Sequence, residues 1–404
     1  MERALAGIRI LDLGRVLAGS FGSMHLADLG AEVIKIEPRE GDDVRRIGGD
    51  HYRDESVYFM SLNRNKKGIV VDLKHPKGKE VFYDLVRVSD VVMDNFRPGV
   101  VERLAVDYET LSAINPRIIC CSVSAYGHTG PYTDRPGYDM AIQALSGGMS
   151  ITGEPGGPPV RMGFPIADLA GSIYGTMGVM AALLQRQRTG RGQKVDIAML
   201  DTQIALLMYF AGCYFQLGEI PQRMGAGHPK TYPYAAYRTK DNEYIVVAIY
   251  GGQFWPKFCR ALSIEYLIDD PRFDLNEKRS RNRAELAPII QAIMTEKTLD
   301  EWVQLLNELD VPAAPVNTVD KALANPQVLA RDMVITVDHP KVGPTRFAGN
   351  PIKMSDSPEV FEPAPVLGQH TAEILRGILG YTDEKIASLA TEGATMEWGR
   401  ALSS

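Results

Sequence analysis

The first half of the chain alternates short β-rich runs with helical segments, and this alternation constrains the fold more than any other feature. Helices are predicted at residues 20–29 and 77–89 from their length and apolar periodicity. Runs rich in Val and Ile predict strands at residues 8–12, 32–37, 90–93 and 117–123. Because strands that alternate with helices form parallel βαβ units, we expect an α/β fold with a large doubly wound parallel sheet.

The sequence pattern changes near residue 225, which indicates a second domain. A length of 404 residues also favours two domains, since a single hydrophobic core rarely extends so far. Residues 232–248 predict a hairpin around a polar turn. Helices are predicted to follow at residues 254–262, 282–295 and 299–309. We interpret residues 225–325 as a smaller inserted α+β domain, with residues 1–224 and 326–404 forming the large domain.

Charge and cysteine usage exclude several classes of function. A formal net charge of −6 disfavours a protein that coats nucleic acid or an anionic membrane. No apolar run reaches about 18 residues without polar interruption, so no membrane span is expected. The four cysteines include an adjacent pair and no CxxC, and the histidines lack metal-ligand spacing; we therefore expect no disulfide, no metal site and a cytoplasmic location.

The loop after the first predicted strand carries Gly14, Gly19 and Gly22, and the second strand ends at Glu37, an arrangement similar to a dinucleotide-binding fingerprint. The glycines are spaced GxxxxGxxG, however, and not GxGxxG. The usual pyrophosphate turn is therefore not encoded, which disfavours a nicotinamide-dependent dehydrogenase.

Asp168 is the residue that most directly indicates chemistry. A Gly/Pro-rich run at residues 153–159 precedes it, and the apolar segment 169–187 that follows predicts a buried helix. Asp168 is therefore expected where a loop becomes a helix. It could cap that helix, or its carboxylate, kept at low pKa by the helix N-terminus, could serve as a nucleophile.

The motifs around Asp168, Gly-Phe-Pro-Ile-Ala-Asp-Leu-Ala-Gly at residues 163–171 and Thr-Gly-Arg-Gly-Gln-Lys-Val-Asp-Ile-Ala-Met at residues 189–199, closely resemble those of family III CoA-transferases. The likeness extends from residue 5 to residue 371 and is nearest to the succinyl-CoA-dependent dicarboxylate transferases. It implies that Asp168 is the catalytic nucleophile. It also implies a Rossmann-like large domain and an interlocked dimer, most simply a homodimer with a heteromer as the alternative.

The resemblance further implies coenzyme A as a substrate and no tightly bound cofactor. A CoA site needs an apolar slot and several cations for its phosphates. The basic run at residues 63–67 could contribute. A family contact that follows Glu37 falls on Pro38 here, so Arg39 is its expected substitute. The other CoA-contacting positions implied by the family are Val16, Ala18, Val71, Lys74, Asn95, Phe96 and Arg103.

Two further groups are expected near the acyl group. Tyr138 and Asp139 match an aromatic-acidic pair of the transferases, whereas the related racemases have a histidine base at the position of Tyr138. A tyrosine with a pKa near 10 is a poor base, which argues against racemisation, and a buried structural ring is the alternative for Tyr138. Gly251, Gly252 and Gln253 could support an oxyanion, or could form a plain strand-to-helix turn.

The sequence therefore predicts an enzyme that transfers CoA from a donor acyl-CoA, with succinyl-CoA expected, to a dicarboxylate or a substituted succinate. Aspartyl anhydride and aspartyl-CoA thioester intermediates are implied by the family. An acyl-CoA isomerase of the same fold and a CoA-binding partner subunit of a heteromeric transferase are the alternatives. Nucleic acid and membranes are not expected partners. A second carboxylate on the acceptor would require an arginine, for which the candidates are Arg15, Arg45, Arg46 and Arg161.

Overall fold

The computed structural model describes residues 2–47 and 50–399. The chain divides into two compact units, the first comprising residues 1–148, 162–215 and 327–404, and the second residues 149–161 and 216–326. The second unit thus includes the Gly/Pro-rich run in addition to the predicted segment 225–325. The backbone N–H of Gly225 donates to the carbonyl of Gly153 (2.9 Å), which ties this run to the rest of its unit.

Fourteen strands lie within the described residues. They are β1 (Arg9–Asp12), β2 (Glu32–Glu37), β3 (His51–Tyr52), β4 (Glu55–Ser56), β5 (Lys66–Val71), β6 (Val91–Asp94), β7 (Ile119–Ser124), β8 (Lys194–Ala198), β9 (Tyr234–Arg238), β10 (Tyr244–Ala248), β11 (Ala313–Pro315), β12 (Val334–His339), β13 (Gly343–Ala348) and β14 (Thr395–Met396).

Eighteen α-helices lie in the same part of the chain. They are α1 (Ser20–Asp28), α2 (Val57–Leu62), α3 (Pro76–Arg87), α4 (Val100–Leu104), α5 (Tyr108–Ile114), α6 (Asp139–Leu145), α7 (Gly148–Ile151), α8 (Ile166–Thr189), α9 (Met199–Leu206), α10 (Tyr209–Leu217), α11 (Phe254–Ala261), α12 (Asn276–Arg281), α13 (Arg283–Met294), α14 (Leu299–Glu308), α15 (Val319–Leu323), α16 (Pro326–Ala330), α17 (Thr371–Gly377) and α18 (Asp383–Thr391).

A seven-stranded sheet with the strand order β14-β5-β2-β1-β6-β7-β8 organises the first unit. All neighbouring strands are parallel except β14, which pairs antiparallel with β5 at the edge. The predicted α/β fold with a doubly wound sheet is therefore confirmed. The strand order reverses between β1 and β6, and in such sheets ligands bind in the crevice beyond the carboxyl ends of the strands at that point.

Helix α8 is the apolar helix that the sequence predicts after Asp168. It packs against α1 and β7. A Cβ atom on Gly22 would lie 2.8 Å from the carbonyl oxygen of Ser172, so the close approach of α1 and α8 requires glycine there. By length and composition α8 is also the one described helix that could cross a membrane, but half of its apolar stretch is buried in the first unit. This burial accounts for its apolarity.

The second unit contains the predicted hairpin, with β9 and β10 paired antiparallel and β11 added beside β10. Three of the predicted helices follow as α11, α13 and α14. Its core includes the fully buried rings of Trp255, Phe258 and Trp302. Two small antiparallel ribbons, β3-β4 and β12-β13, belong to the first unit.

Candidate active site

The loops that follow β1, β6 and β7 enclose a pocket of about 170 Å³ together with the first turn of α8. All of its lining residues belong to the first unit. They are Val16, Leu17, Ala18, Asn95, Phe96, Arg97, Pro98, Val123, Ser124, Ala125, Tyr126, Thr133, Arg135, Gly137, Tyr138, Asp168 and Met199. Asp168 is the one carboxylate among them.

Asp168 lies inside the first turn of α8 and is not its cap. The helix begins at Ile166, and Pro165 occupies the N-cap position without a side-chain bond. Asp139 instead binds first-turn amides that have no partner within the helix. Its Oδ1 accepts hydrogen bonds from the N–H groups of Ala167 (2.8 Å) and Asp168 (3.4 Å). The capping interpretation of Asp168 is therefore wrong. Within residues 2–47 and 50–399, no hydrogen bond reaches its carboxylate oxygens.

Burial, followed by the charge of Asp139, raises the pKa of Asp168 to about 7. The sequence-based expectation of a low pKa considered only the helix N-terminus, which favours the ionised form by a modest amount. Partial removal from water and a neighbouring like charge act in the opposite direction. The carboxylate is therefore more basic than an ordinary aspartate, and a large fraction of it is still ionised at neutral pH.

The hydroxyl of Ser172 joins the loop after β1 to the first turns of α8. Its Oγ donates to the carbonyl of Ala18 (2.6 Å) and also lies 2.9 Å from the carbonyl oxygen of Asp168. One turn later, the hydroxyl of Thr176 donates to the carbonyl of Gly22 (3.2 Å). The pocket wall and the helix that carries Asp168 are thus held together by side-chain bonds.

The structure places Tyr138 and Asp139 beside Asp168, and their contact with an acyl group stays a prediction. Tyr138 is 75% exposed and lines the pocket, so the alternative of a buried structural ring is wrong. The Nε2 of Gln143 donates to Oδ2 of Asp139 (2.6 Å), which orients this carboxylate toward the amides of α8. Tyr138 is therefore available to a ligand, whereas Asp139 fixes the helix and raises the pKa of Asp168.

A groove of about 470 Å³ adjoins the pocket and shares its residues Val16, Asn95, Phe96, Arg97 and Tyr138. Arg15, Lys74, Val100, Arg103 and Leu104 complete its lining. Two smaller cavities that also contain Lys74 extend it to Val71 and Arg39. All the predicted CoA-contacting positions therefore lie along one connected surface. They are Val16, Ala18, Arg39, Val71, Lys74, Asn95, Phe96 and Arg103.

The cations of this groove are available for an anionic ligand. In the described parts of the chain, the side chains of Lys74, Arg97 and Arg103 make no ion pair, and Arg15 has only a 4.0 Å contact with Asp43. No acidic residue lines the groove itself, whereas Glu37, Glu40, Asp43 and Asp72 line the two smaller cavities beyond Lys74. Unpaired guanidinium and ammonium groups in one groove suit phosphate groups.

The basic run at residues 63–67 does not contribute to this surface. Arg64 forms a buried ion pair with Asp28 (2.6 Å), and Lys66 forms one with Asp12 (2.8 Å). Lys67 pairs with Glu373 (2.9 Å) on the surface. The sequence shows only the positive charges of this run, and the structure shows that each one already has a carboxylate partner.

The candidates for binding a second carboxylate also change. Arg45 is bonded to Glu37 (2.7 Å), Arg46 lies near Asp43 (3.4 Å), and Arg161 belongs to the second unit. Arg15 lines the groove and not the pocket of Asp168. The pocket instead contains Arg135, which sequence reasoning missed. Its guanidinium carbon lies 3.7 Å from the centre of the Tyr132 ring, and within the described residues it has no carboxylate partner.

Gly251, Gly252 and Gln253 lie between β10 and α11 in the second unit. Gln253 is the N-cap residue of α11 and makes no side-chain capping bond. A Cβ atom on Gly251 would lie 2.5 Å from the side-chain amide of Gln253, a flexible group that can move aside. Their part in catalysis stays a prediction.

A metal centre is not evident in the described part of the chain, where no group of three or more His, Cys, Asp or Glu side chains is arranged to hold an ion. All four cysteines are free thiols. Burial raises the pKa of Cys120, Cys121 and Cys259, so these thiols stay protonated.

Comparison with known proteins identifies the family. The model of CoA-transferase family III matches residues 5–371. The human succinyl-CoA:glutarate CoA-transferase is 40% identical over 397 residues, which cover 97% of this chain and 90% of the relative. The succinate–glutarate CoA-transferase of Agrobacterium fabrum is 38% identical over 379 residues, covering 92% and 94%. The crystal structure of a CaiB/BaiF family protein from Brucella suis superimposes with a TM-score of 0.84 at 36% identity, covering 94% of this chain and all of that one. The chain therefore belongs to CoA-transferase family III and is a CoA-transferase.

Proposed function

We propose that this enzyme transfers CoA from succinyl-CoA to a dicarboxylic acid through covalent intermediates on Asp168. The observation that carries the proposal is the carboxylate of Asp168, which is partly buried, has no hydrogen-bond partner in the described residues and lies in a pocket joined to a cationic groove. The choice of substrates rests on the similar proteins, whose names specify succinyl-CoA or succinate together with glutarate.

In the first half-reaction, a carboxylate oxygen of Asp168 attacks the thioester carbon of succinyl-CoA. The C–S bond breaks, and a succinyl-aspartyl anhydride and CoA thiolate result. The thiolate then attacks the side-chain carbonyl carbon of Asp168. The anhydride C–O bond breaks, succinate leaves as a carboxylate, and CoA is held as an aspartyl thioester.

The second half-reaction reverses this sequence with a new acid. The acceptor carboxylate attacks the aspartyl thioester, and the CoA thiolate leaves as a mixed anhydride forms. The thiolate attacks the acyl carbon of the acceptor, which releases the new acyl-CoA and the carboxylate of Asp168. One thioester replaces another, no proton is consumed overall, and no ATP is required.

The residues of the groove and of the pocket have separate roles in this scheme. Lys74 and Arg103, with Arg39 at the far end, bind the phosphates of CoA, and Phe96 offers an apolar ring along the groove. Tyr138 lies where the groove meets the pocket and contacts the acyl portion. The pocket must also exclude water, because each anhydride would otherwise hydrolyse. A cytoplasmic homodimer is the proposed form.

Arg135 is proposed to bind the second carboxylate of the acid. It is the arginine that lines the pocket of Asp168 without also lining the CoA groove. A guanidinium group binds a carboxylate through two parallel hydrogen bonds. Stacking on the Tyr132 ring fixes the plane of the Arg135 guanidinium. A monocarboxylic acid would leave this group unused.

The mass of the intact protein after incubation with succinyl-CoA tests the covalent route. We expect a succinyl or CoA adduct that hydroxylamine converts to a hydroxamate at Asp168, and that an Asp168→Ala variant does not form. An adduct that still forms on the variant would show that another residue is the nucleophile. Absence of any adduct on the wild type with a panel of acyl-CoAs would contradict the mechanism and favour the isomerase or the partner-subunit alternative.

A further inference from the structure

The loop between β1 and α1 is held by side chains from four separate parts of the chain. The N–H of Gly14 donates to Oδ1 of Asp12 (2.8 Å), and the carbonyl of Gly14 accepts from the Nζ of Lys35 on β2. The N–H of Arg15 donates to Oδ1 of Asn95 (2.7 Å), whose Nδ2 donates back to the carbonyl of Arg15 (2.8 Å). Together with the N–H of Val16, these are five consecutive backbone polar groups that are bonded to side chains and not to other backbone groups.

Val16 follows in the left-handed conformation, with φ = +58°. This conformation is an outlier for a β-branched residue, and such outliers persist only where the surroundings determine them. Here Oδ1 of Asp42 accepts a hydrogen bond from the N–H of Val16 (3.2 Å). Val16 lines both the CoA groove and the pocket of Asp168, so its strained backbone lies where the two cavities meet.

Asp42 is itself fixed by a buried ion pair. The Nζ of Lys35 donates to its Oδ2 (3.0 Å), and both side chains are only 1% exposed. The same Nζ binds the carbonyl of Gly14, so one ammonium group connects the start of the loop to the carboxylate that binds Val16. Ion pairs buried this deeply add little net stability, because desolvation offsets their attraction.

We propose that Lys35 and Asp42 are positioning residues that hold Val16 in its left-handed conformation, and thereby hold residues 16–18 against the thioester of the bound acyl-CoA. The pair touches neither Asp168 nor the surface of the groove. Its effect passes through the loop to Ser172, whose hydroxyl contacts the carbonyls of both Ala18 and Asp168. The inference rests on the proposed binding of acyl-CoA in this groove.

A second buried ion pair of the first unit provides a matched control. Asp28, at the C-terminal end of α1, pairs with Arg64 (2.6 Å), and both side chains are as deeply buried as the first pair. Arg64 also donates to the carbonyl of Ala348 (2.8 Å). Asp28 also accepts a hydrogen bond from Nδ2 of Asn65 (2.8 Å). None of these bonds reaches the loop, so the loss of Asp28 reports the cost of breaking buried carboxylate bonds away from Val16.

The test compares Asp42→Ala with Asp28→Ala by measuring thermal unfolding and the kcat/KM for succinyl-CoA. Both variants should lower Tm. We expect Asp42→Ala to lower kcat/KM by about 100-fold, the order of effect that a misplacement of about 1 Å produces, and Asp28→Ala by less than about threefold. The Asp42→Asn variant keeps an acceptor for the N–H of Val16 and should recover most of the loss. If the alanine variant does not fold, the double variant Lys35→Met/Asp42→Leu replaces it, with Arg64→Met/Asp28→Leu as its control, because removing both partners leaves no unpaired buried charge.

Adding Val16→Gly to Asp42→Ala separates strain from other effects, because glycine adopts positive φ at no steric cost. The double variant should be more active than Asp42→Ala. Equal kcat/KM values for the Asp42 and Asp28 variants, or no gain from Val16→Gly, would overturn the positioning role. A wild-type protein that does not turn over succinyl-CoA or any other acyl-CoA would instead contradict the proposed function, so the two failures are distinguishable.

Discussion

The pocket of Asp168 and the groove beside it share a wall but differ in charge. The groove combines Arg15, Lys74, Arg97 and Arg103 and contains no acidic side chain, whereas the pocket has, beside Arg97 and Arg135, a carboxylate whose pKa is raised to about 7. Phosphates and pantetheine can thus be bound strongly at a distance from the reacting atoms. Binding energy from such remote parts of a substrate serves to orient the reacting centre. The two regions should therefore separate in kinetics, the pocket governing kcat and the groove governing KM.

Removing the nucleophile should have the largest effect. Asp168→Asn keeps the size of the side chain but cannot form the anhydride, so kcat should fall by about 10⁴-fold or more. The KM for acyl-CoA, or its dissociation constant measured by calorimetry, should change by less than about threefold. A large loss of CoA affinity in this variant would break the division between the two regions.

The groove should behave in the opposite way. Arg103→Ala removes a charge-assisted hydrogen bond to phosphate and should raise the KM for succinyl-CoA by about 10- to 100-fold with little change in kcat. Steady-state kinetics at two salt concentrations measures this, with Arg87→Ala as the control. Arg87 is exposed on α3 and pairs with Asp84, away from the groove. A fall in kcat without a rise in KM would assign Arg103 to the chemistry.

Within the pocket, Arg135→Gln should discriminate between acceptors. Removal of the guanidinium should lower kcat/KM for a dicarboxylic acceptor by about tenfold or more, because a bidentate pair is lost. A monocarboxylic acid of the same chain length should lose less than about threefold. Competition between the two acids in one reaction gives the ratio directly. Equal losses of kcat/KM for both acids would show that Arg135 contributes to CoA binding or to folding and does not bind the second carboxylate. That outcome would not contradict the CoA-transferase activity.

The pH dependence should report the raised pKa of Asp168. The nucleophile must be ionised, so kcat/KM for acyl-CoA should fall about tenfold per pH unit below pH 7 and level off above it. Asp139→Asn keeps the acceptor for the amides of α8 but removes the like charge. Its pH–rate midpoint should move to lower pH, although burial still holds it above that of an ordinary aspartate. An unchanged midpoint would show that burial alone, and not the charge of Asp139, raises the pKa of Asp168.

The smallest expected effect is on stability. A carboxyl whose pKa is higher in the folded protein than in the unfolded chain contributes stability at low pH, and that stability is lost as the pH rises through about 7. Asp168→Asn removes the cost of the buried charge. Its Tm should exceed that of the wild type by about 2 °C at pH 8, with a smaller difference at pH 5. A larger difference at pH 5 would contradict the raised pKa.

Much of this arrangement could be predicted from the sequence because it depends on local patterns. The strand at residues 32–37 and the hairpin in the second unit follow from periodicity and turn residues. The motif at residues 163–171 makes Asp168 the candidate nucleophile, and that role stays a prediction. The environment of Asp168 could not be predicted in this way. Its helix is capped by Asp139, 29 positions earlier in the chain, which no local pattern reveals.

Buried charge was also beyond sequence reasoning. Lys35 and Lys66 are charged strand residues, and both are buried against aspartates. Arg135 could not be distinguished from Arg15 or Arg161 before the pocket was known. Which charges are already paired depends on tertiary contacts, and sequence spacing does not record these.

The contrast between the two sides of the pocket has an evolutionary consequence. The loop at residues 14–16 is bonded to distant side chains, so an insertion there would break bonds in several parts of the chain at once. The segment that carries Arg135 is closed by its own turns, from Thr133 to Gly130 and from Arg135 to Tyr132. It can change in length or composition while the CoA-facing wall stays intact. An enzyme of this kind can therefore acquire new acceptor acids while it keeps its CoA site. Laboratory selection for a new acceptor should begin at residues 129–136, because the N–H of His128 is bonded to Asp196 and a Cβ atom on Gly137 would lie 2.5 Å from that of Ala125.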